Sequence, residues 1–122
     1  MRQILIVGDD PNQRRLLTWE FSDEGYVVDT ATSGREALDK IRIDQPAVVV
    51  LDLATRDEGG IDEVSRILNL RTRPAVVIYS AHSRSRFKRA MKPVDDFVMK
   101  SSNLALLKAS VRKVAQRSVS AA

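Results

Sequence analysis

Five apolar residues in a row, Ala47-Val48-Val49-Val50-Leu51, follow Pro46 and end on a single carboxylate, Asp52. An unbroken, largely β-branched run of that length reads as a strand buried on both faces. Such strands occupy the middle of parallel sheets covered by helices. Ligands and chemistry in these sheets gather just beyond the carboxyl ends of the strands. Asp52 is therefore either a reactive group or a cap for the turn that follows.

The rest of the chain supports a parallel sheet, because strand and helix patterns alternate along it. Strands are predicted at Gln3 to Gly8, Tyr26 to Ala31, Ala47 to Asp52, Ala75 to Ser80 and Asp95 to Met99. Helices are predicted at Pro11 to Asp23, Gly34 to Ile43, Ile61 to Leu70, Ser83 to Met91 and Ser102 to Arg117. In the last of these, Leu104, Leu107, Val111 and Val114 form one apolar stripe with basic residues opposite. The first, third and fourth strands are the most apolar and belong in the centre. Right-handed crossovers then give a flavodoxin-like, doubly wound α/β fold: a five-stranded parallel sheet of order 2-1-3-4-5 with helices on both faces. In that order the ends of the first and third strands flank the topological switch point.

With 122 residues the chain is one domain, expected over 1–117 with a flexible tail at 118–122. It contains no cysteine, which excludes thiol catalysis, disulfides and Cys-based metal centres. No stretch is long enough to span a bilayer and the apolar start is too short for a signal peptide, so a cytoplasmic location is expected. The net charge is +4, with Arg84, Arg86, Lys88, Arg89 and Lys92 in one segment. Such a run is usually a solvated face, and direct nucleic-acid binding ranks below that reading.

Polar residues suited to one task follow four of the strands. Asp9 and Asp10 follow the first, Asp52 ends the third, Ser80 the fourth, and Lys100 follows the fifth. Two carboxylates about 4 Å apart repel by about 4 kcal/mol at an effective dielectric near 20, so such a cluster needs a cation. A hard divalent ion, Mg²⁺, would take carboxylate and water oxygens and leave room for phosphate. Lys100 adds a fixed positive charge and Ser80 a hydroxyl donor. An acidic pocket with a metal, a lysine and a hydroxyl suits phosphoryl transfer to a carboxylate, with Asp52 as the nucleophile.

Over essentially its whole length the chain resembles the receiver domain of two-component response regulators. The resemblance is carried by Ile4-Leu5-Ile6-Val7-Gly8-Asp9-Asp10-Pro11, Val50-Leu51-Asp52-Leu53, Gly60, Tyr79-Ser80-Ala81 and Asp95-Asp96-Phe97-Val98-Met99-Lys100. It implies an aspartyl-phosphate switch: a regulatory phosphoacceptor that assists its own phosphorylation and dephosphorylation. Asp52 would be phosphorylated by a sensor histidine kinase or a histidine phosphotransfer protein, with Mg²⁺ held by Asp9, Asp52 and the backbone carbonyl of Ala54. Ser80 and Lys100 would grip the phosphoryl oxygens and Phe97 would change rotamer. The surface of the fourth helix, fifth strand and fifth helix would act on a downstream protein or a fused output domain, or form a homodimer.

Several positions depart from the family pattern. Gly8 stands where receivers usually carry the first acidic residue of a pair, leaving Asp9 as the second. Asp10, just before Pro11, reads as a helix N-cap, although a one-residue shift would make it a ligand instead. Thr55 and Arg56 replace Met-Pro, Ser101 replaces the proline after the lysine, and Met91-Lys92-Pro93-Val94 replaces a stretch that commonly ends in Gly-Ala. These departures motivate an alternative function, a pseudo-receiver that binds partners without being phosphorylated.

Taken singly, the same residues have simpler roles. Ser80 would be a turn residue, Lys100 a solvated strand end, Phe97 and Trp19 core filling, and His82 a solvated side chain. A dehalogenase-type hydrolase would need an acid at the position of Ala54, and a flavodoxin would need a phosphate loop after the first strand; neither is present.

Overall fold

The structure is a computed structural model that describes residues 2–53, 65–81, 94–101 and 103–120. Its elements run β1 (Gln3–Val7), α1 (Pro11–Asp23), β2 (Val27–Ala31), α2 (Gly34–Asp44), β3 (Val48–Leu53), a helical turn at 65–68 (α3), β4 (Ala75–Ser80), β5 (Asp96–Met99) and α4 (Ala105–Ser120). All five strands are parallel, in the order β2-β1-β3-β4-β5. This is the predicted sheet, and its switch point lies between β1 and β3.

The period of two in each strand divides the core into two layers. Ile4, Ile6, Val48, Val50, Val77 and Tyr79 meet Leu17 and Phe21 of α1 and Leu107, Val111 and Val114 of α4. On the other face Leu5, Val7, Val49, Leu51, Val76 and Ile78 meet Ala37, Leu38 and Ile41 of α2 and Ile67 of α3. Residues 48 to 51 of β3 are at most 3% exposed. That is why their sequence shows no polar alternation.

Local chemistry fixes the helix ends. Asp10 caps α1, accepting from the Asn12 N–H at 2.9 Å, with Pro11 in the first turn, where no donor is needed. The same helix stops in a Schellman arrangement: Gly25 at φ 96° donates to the Ser22 carbonyl at 3.0 Å, and Tyr26 to that of Phe21 at 3.1 Å. The Phe21 and Tyr26 rings close this end edge to face, 6.0 Å apart. Ser33 caps α2, accepting from the Glu36 N–H at 3.2 Å, and Gln45 ends it in the left-handed region just before Pro46.

Both edge strands carry one device that blunts them. In β2 the Asp29 carboxylate accepts from the Thr30 N–H at 2.8 Å and pairs with Lys40 of α2 at 3.1 Å. In β5 the Asp96 carboxylate accepts from the Phe97 N–H at 2.9 Å and pairs with Lys113 of α4 at 3.5 Å. Charged side chains along an edge discourage pairing with another chain.

Two expectations are corrected. Trp19 is 74% exposed rather than packed, because it lies on the far side of α1 from Leu17 and Phe21, which face the sheet. The last helix begins at Ala105 rather than Ser102, where the Asn103 side chain accepts from the Ala105 N–H at 2.8 Å. It continues through Ser120. The predicted helix over Ser83 to Met91, residues 61–64 of that over Ile61 to Leu70, the basic run at 84–92, and Thr55, Arg56, Gly60, His82 and Pro93 lie outside the described residues.

Candidate functional site

Asp52 is the penultimate residue of β3, and its position in the sheet determines its neighbours. Register sets Val7 beside Leu51, so Gly8 comes next to Asp52 on one side. On the other side Asp52 is paired with Tyr79 of β4. A β-carbon built at Gly8 would lie 3.1 Å from Asp52 Cβ and 3.2 Å from its Oδ2, tighter than ordinary contact. The Asp52 carboxylate therefore packs against the place where an acidic side chain at position 8 would begin. The Gly8 carbonyl in turn accepts from Arg14 Nη1 of α1 at 2.7 Å.

Asp52 is 8% exposed. Its Oδ1 forms an ion pair with Lys100 Nζ but receives no aligned hydrogen bond among the described residues. Lys100 follows β5 directly, and its N–H donates to the Ser80 carbonyl at 2.7 Å. Burial pushes the Asp52 carboxyl above its ordinary value; Lys100 opposes this, while the charges of Asp9 and Asp10 add to it. A buried carboxylate beside other acids suits a cation.

The donor set fits such a cation partly. Asp9 is exposed just beyond β1, and Asp10 has one carboxylate oxygen committed to the α1 cap. Among the described residues no three carboxylate or imidazole groups lie close enough to hold a metal ion. Asp9 and Asp52 offer two carboxylates, and the expected third oxygen, the Ala54 carbonyl, lies outside the described residues.

The remaining predicted site residues sit elsewhere on the sheet. Ser80 is fully buried at the end of β4, in the alternation that includes Ile78. Phe97 is half-buried and packs on the layer covered by α2 and α3. The sheet thus brings Lys100 to Asp52 on the face covered by α1 and α4, and turns the Ser80 and Phe97 side chains towards the other face.

Sequence reasoning passed over Tyr79, which is 2% exposed, belongs to the α1 and α4 layer, and has its ring centroid 5.7 Å from Lys100 Nζ. The available signal was its place immediately before Ser80, which becomes informative once β4 is registered against β3. A cleft of about 600 Å³ opens beside it, lined by residues including Leu16, Glu20, Ser101, Leu104 and Lys108.

Comparison with known proteins places this geometry in context. The family profile described as response regulator receiver domain matches residues 4–112. The response regulator ArlR of Staphylococcus aureus is 32% identical over 119 residues, covering 96% of this chain and 54% of ArlR. The chain thus spans about half the length of the curated relatives it matches. The crystal structure of response regulator TrrA from Thermotoga maritima in complex with Mg²⁺ and BeF superposes with a TM-score of 0.84 at 34% identity, covering 93% of this chain and 99% of that one. A chain of the solved complex between histidine kinase ThkA and TrrA gives 0.79 at 34% identity, with 93% and 98% covered.

Proposed function

Because the chain belongs to the response regulator receiver domain family, we propose that Asp52 accepts a phosphoryl group from a histidine kinase or a histidine phosphotransfer protein and that the modified domain switches a protein-interaction surface. The observation that carries this reading is the buried Asp52 carboxylate paired with Lys100 at the switch point of the sheet. Support for the donor comes from TrrA, which forms a complex with the kinase ThkA. Support for the metal comes from the Mg²⁺ and BeF complex of the same relative.

In the transfer, an Asp52 oxygen forms a bond to phosphorus as the P–N bond of the donor phosphohistidine breaks. Lys100 offsets the negative charge on the phosphoryl oxygens, an electrostatic contribution that grows as charge develops there. Asp9, Asp52 and the Ala54 carbonyl would hold Mg²⁺, which would supply further neutralisation of the charge on those oxygens. Movement of the end of β4 then brings the Ser80 hydroxyl round from the other face to donate to a phosphoryl oxygen, and Phe97 repacks behind it. Added charge in a buried pocket thereby biases an element with two arrangements.

The surface that reads the change includes β5 and α4, acting on a downstream protein, a fused output domain or a second copy. A cytoplasmic location accords with this role. No helix among the described residues is long and apolar enough to cross a membrane.

Incubation with acetyl phosphate and Mg²⁺ is expected to add one phosphoryl mass, and Asp52→Asn to abolish it. Lack of any adduct, both from acetyl phosphate and from a phosphorylated histidine kinase, would overturn the reading. The pseudo-receiver alternative would then stand. Gly8 is the observation that favours that alternative, since the carboxylate it lacks would be a further metal ligand.

A further inference from the structure

We infer that Tyr79 is the platform that steers Lys100 onto Asp52, and so a positioning residue for the proposed phosphoryl transfer. Its functional consequence rests on the phosphoacceptor reading of Asp52; the contact itself follows from the sheet.

Asp52 is on β3 and Lys100 follows β5, with β4 between them. Adjacent strands are about 4.8 Å apart, so the Lys100 side chain has to cross roughly 10 Å over β4 to reach its partner. The residue it crosses is fixed by register. Tyr79 is paired with Asp52 on one side and with Val98 on the other. Asp52, Tyr79 and Val98 therefore project from one face of the sheet, and Lys100, two residues beyond Val98, continues that face. The ammonium lies 5.7 Å from the Tyr79 ring centroid while paired with Asp52 Oδ1.

That separation is within the range where an aromatic ring attracts a cation. The ring has little freedom to turn away, because it is 2% exposed and packed in the layer built by Leu17, Phe21 and Leu107. Lysine has a long flexible stem that loses rotamer freedom when fixed, so a preformed surface beneath it matters. Ser101 follows Lys100 where the family motif has a proline, and it cannot restrict the backbone as a proline ring does. The lysine is held instead by the main-chain bond from its N–H to the Ser80 carbonyl and by the ring under its side chain. An aliphatic residue at position 79 would fill the same space without attracting the ammonium.

The test compares wild type with Tyr79→Phe, which keeps the ring, and Tyr79→Leu, which keeps only apolar volume. In carbon-proton correlation spectra the Lys100 ε-methylene is expected to show a ring-current shift in wild type and Tyr79→Phe, and to return to the free-lysine position in Tyr79→Leu. Phosphoryl uptake from acetyl phosphate is expected to fall by up to about tenfold in Tyr79→Leu and to be restored by Tyr79→Phe. In a Lys100→Gln background, Tyr79→Leu should cost nothing further. A free-lysine position for Lys100 in the wild-type spectrum, which requires no variant, would overturn the proposal. So would an equal loss from Tyr79→Leu with and without Lys100. If no form of the protein accepts a phosphoryl group, the phosphoacceptor reading fails while the ring-current shift still decides the contact.

Discussion

Asp52 is costly to the fold in its ionised form, and pH should reveal that cost. Burial, together with the nearby charges of Asp9 and Asp10, raises its folded pKa above the ordinary 3.8, and Lys100 offsets this only in part. In the window just above 3.8 the folded state therefore binds more protons at this site than the unfolded chain. Its contribution to stability falls as pH rises through that window and stays reduced above it. Asp52→Asn should raise the thermal midpoint at pH 7 by several degrees in metal-free buffer, with the gain disappearing below about pH 3. An unchanged or lowered midpoint at neutral pH would show that the Lys100 pair fully compensates for burial. At this scale Asp9, Asp52 and Lys100 were legible because each follows or ends an apolar run. Gly8 was legible as a missing acid, but not as the surface on which Asp52 packs. Tyr79 was not legible as a partner of Lys100, because that contact depends on three strands lying side by side.

Secondary-structure elements were legible where short-range chemistry sets them. The Asp10-Pro11 pair fixed the start of α1, and both ends of that helix agree with the sequence reading. Its end depends on Gly25 at φ 96°, a conformation that a β-carbon disfavours although nothing within 4 Å would block one. Gly25→Ala should therefore destabilise the protein by about 1 kcal/mol through backbone strain alone, measurable as a lower urea midpoint at unchanged slope. The start of α4 was misjudged by three residues because Ser101, Ser102 and Asn103 are all capping types, and tertiary placement selects among them. Trp19 was misjudged because large aromatic residues are usually buried, whereas its angular position on α1 sends it to solvent.

Across the whole molecule, the α1 and α4 layer both stabilises the sheet and encloses one side of the site. Leu107 of α4 is 1% exposed in the layer that holds Tyr79. Leu107→Ala should cost about 2–5 kcal/mol in urea unfolding, and a cost under about 1 kcal/mol would mean that α4 packs loosely. Strand order was legible from the sequence because the hydrophobicity of each strand reports its depth in a parallel sheet, and right-handed crossovers leave few arrangements. The chain by itself determined the elements, their order and the carboxylates at the switch point, since these follow from periodicity, capping and local hydrophobicity. Only the tertiary structure decided that Asp52 lies on Gly8, that Lys100 crosses Tyr79 to reach it, and that Ser80 and Phe97 project to the opposite face. Those relations depend on register between strands distant in sequence, and a shift of one residue would reverse every one of them.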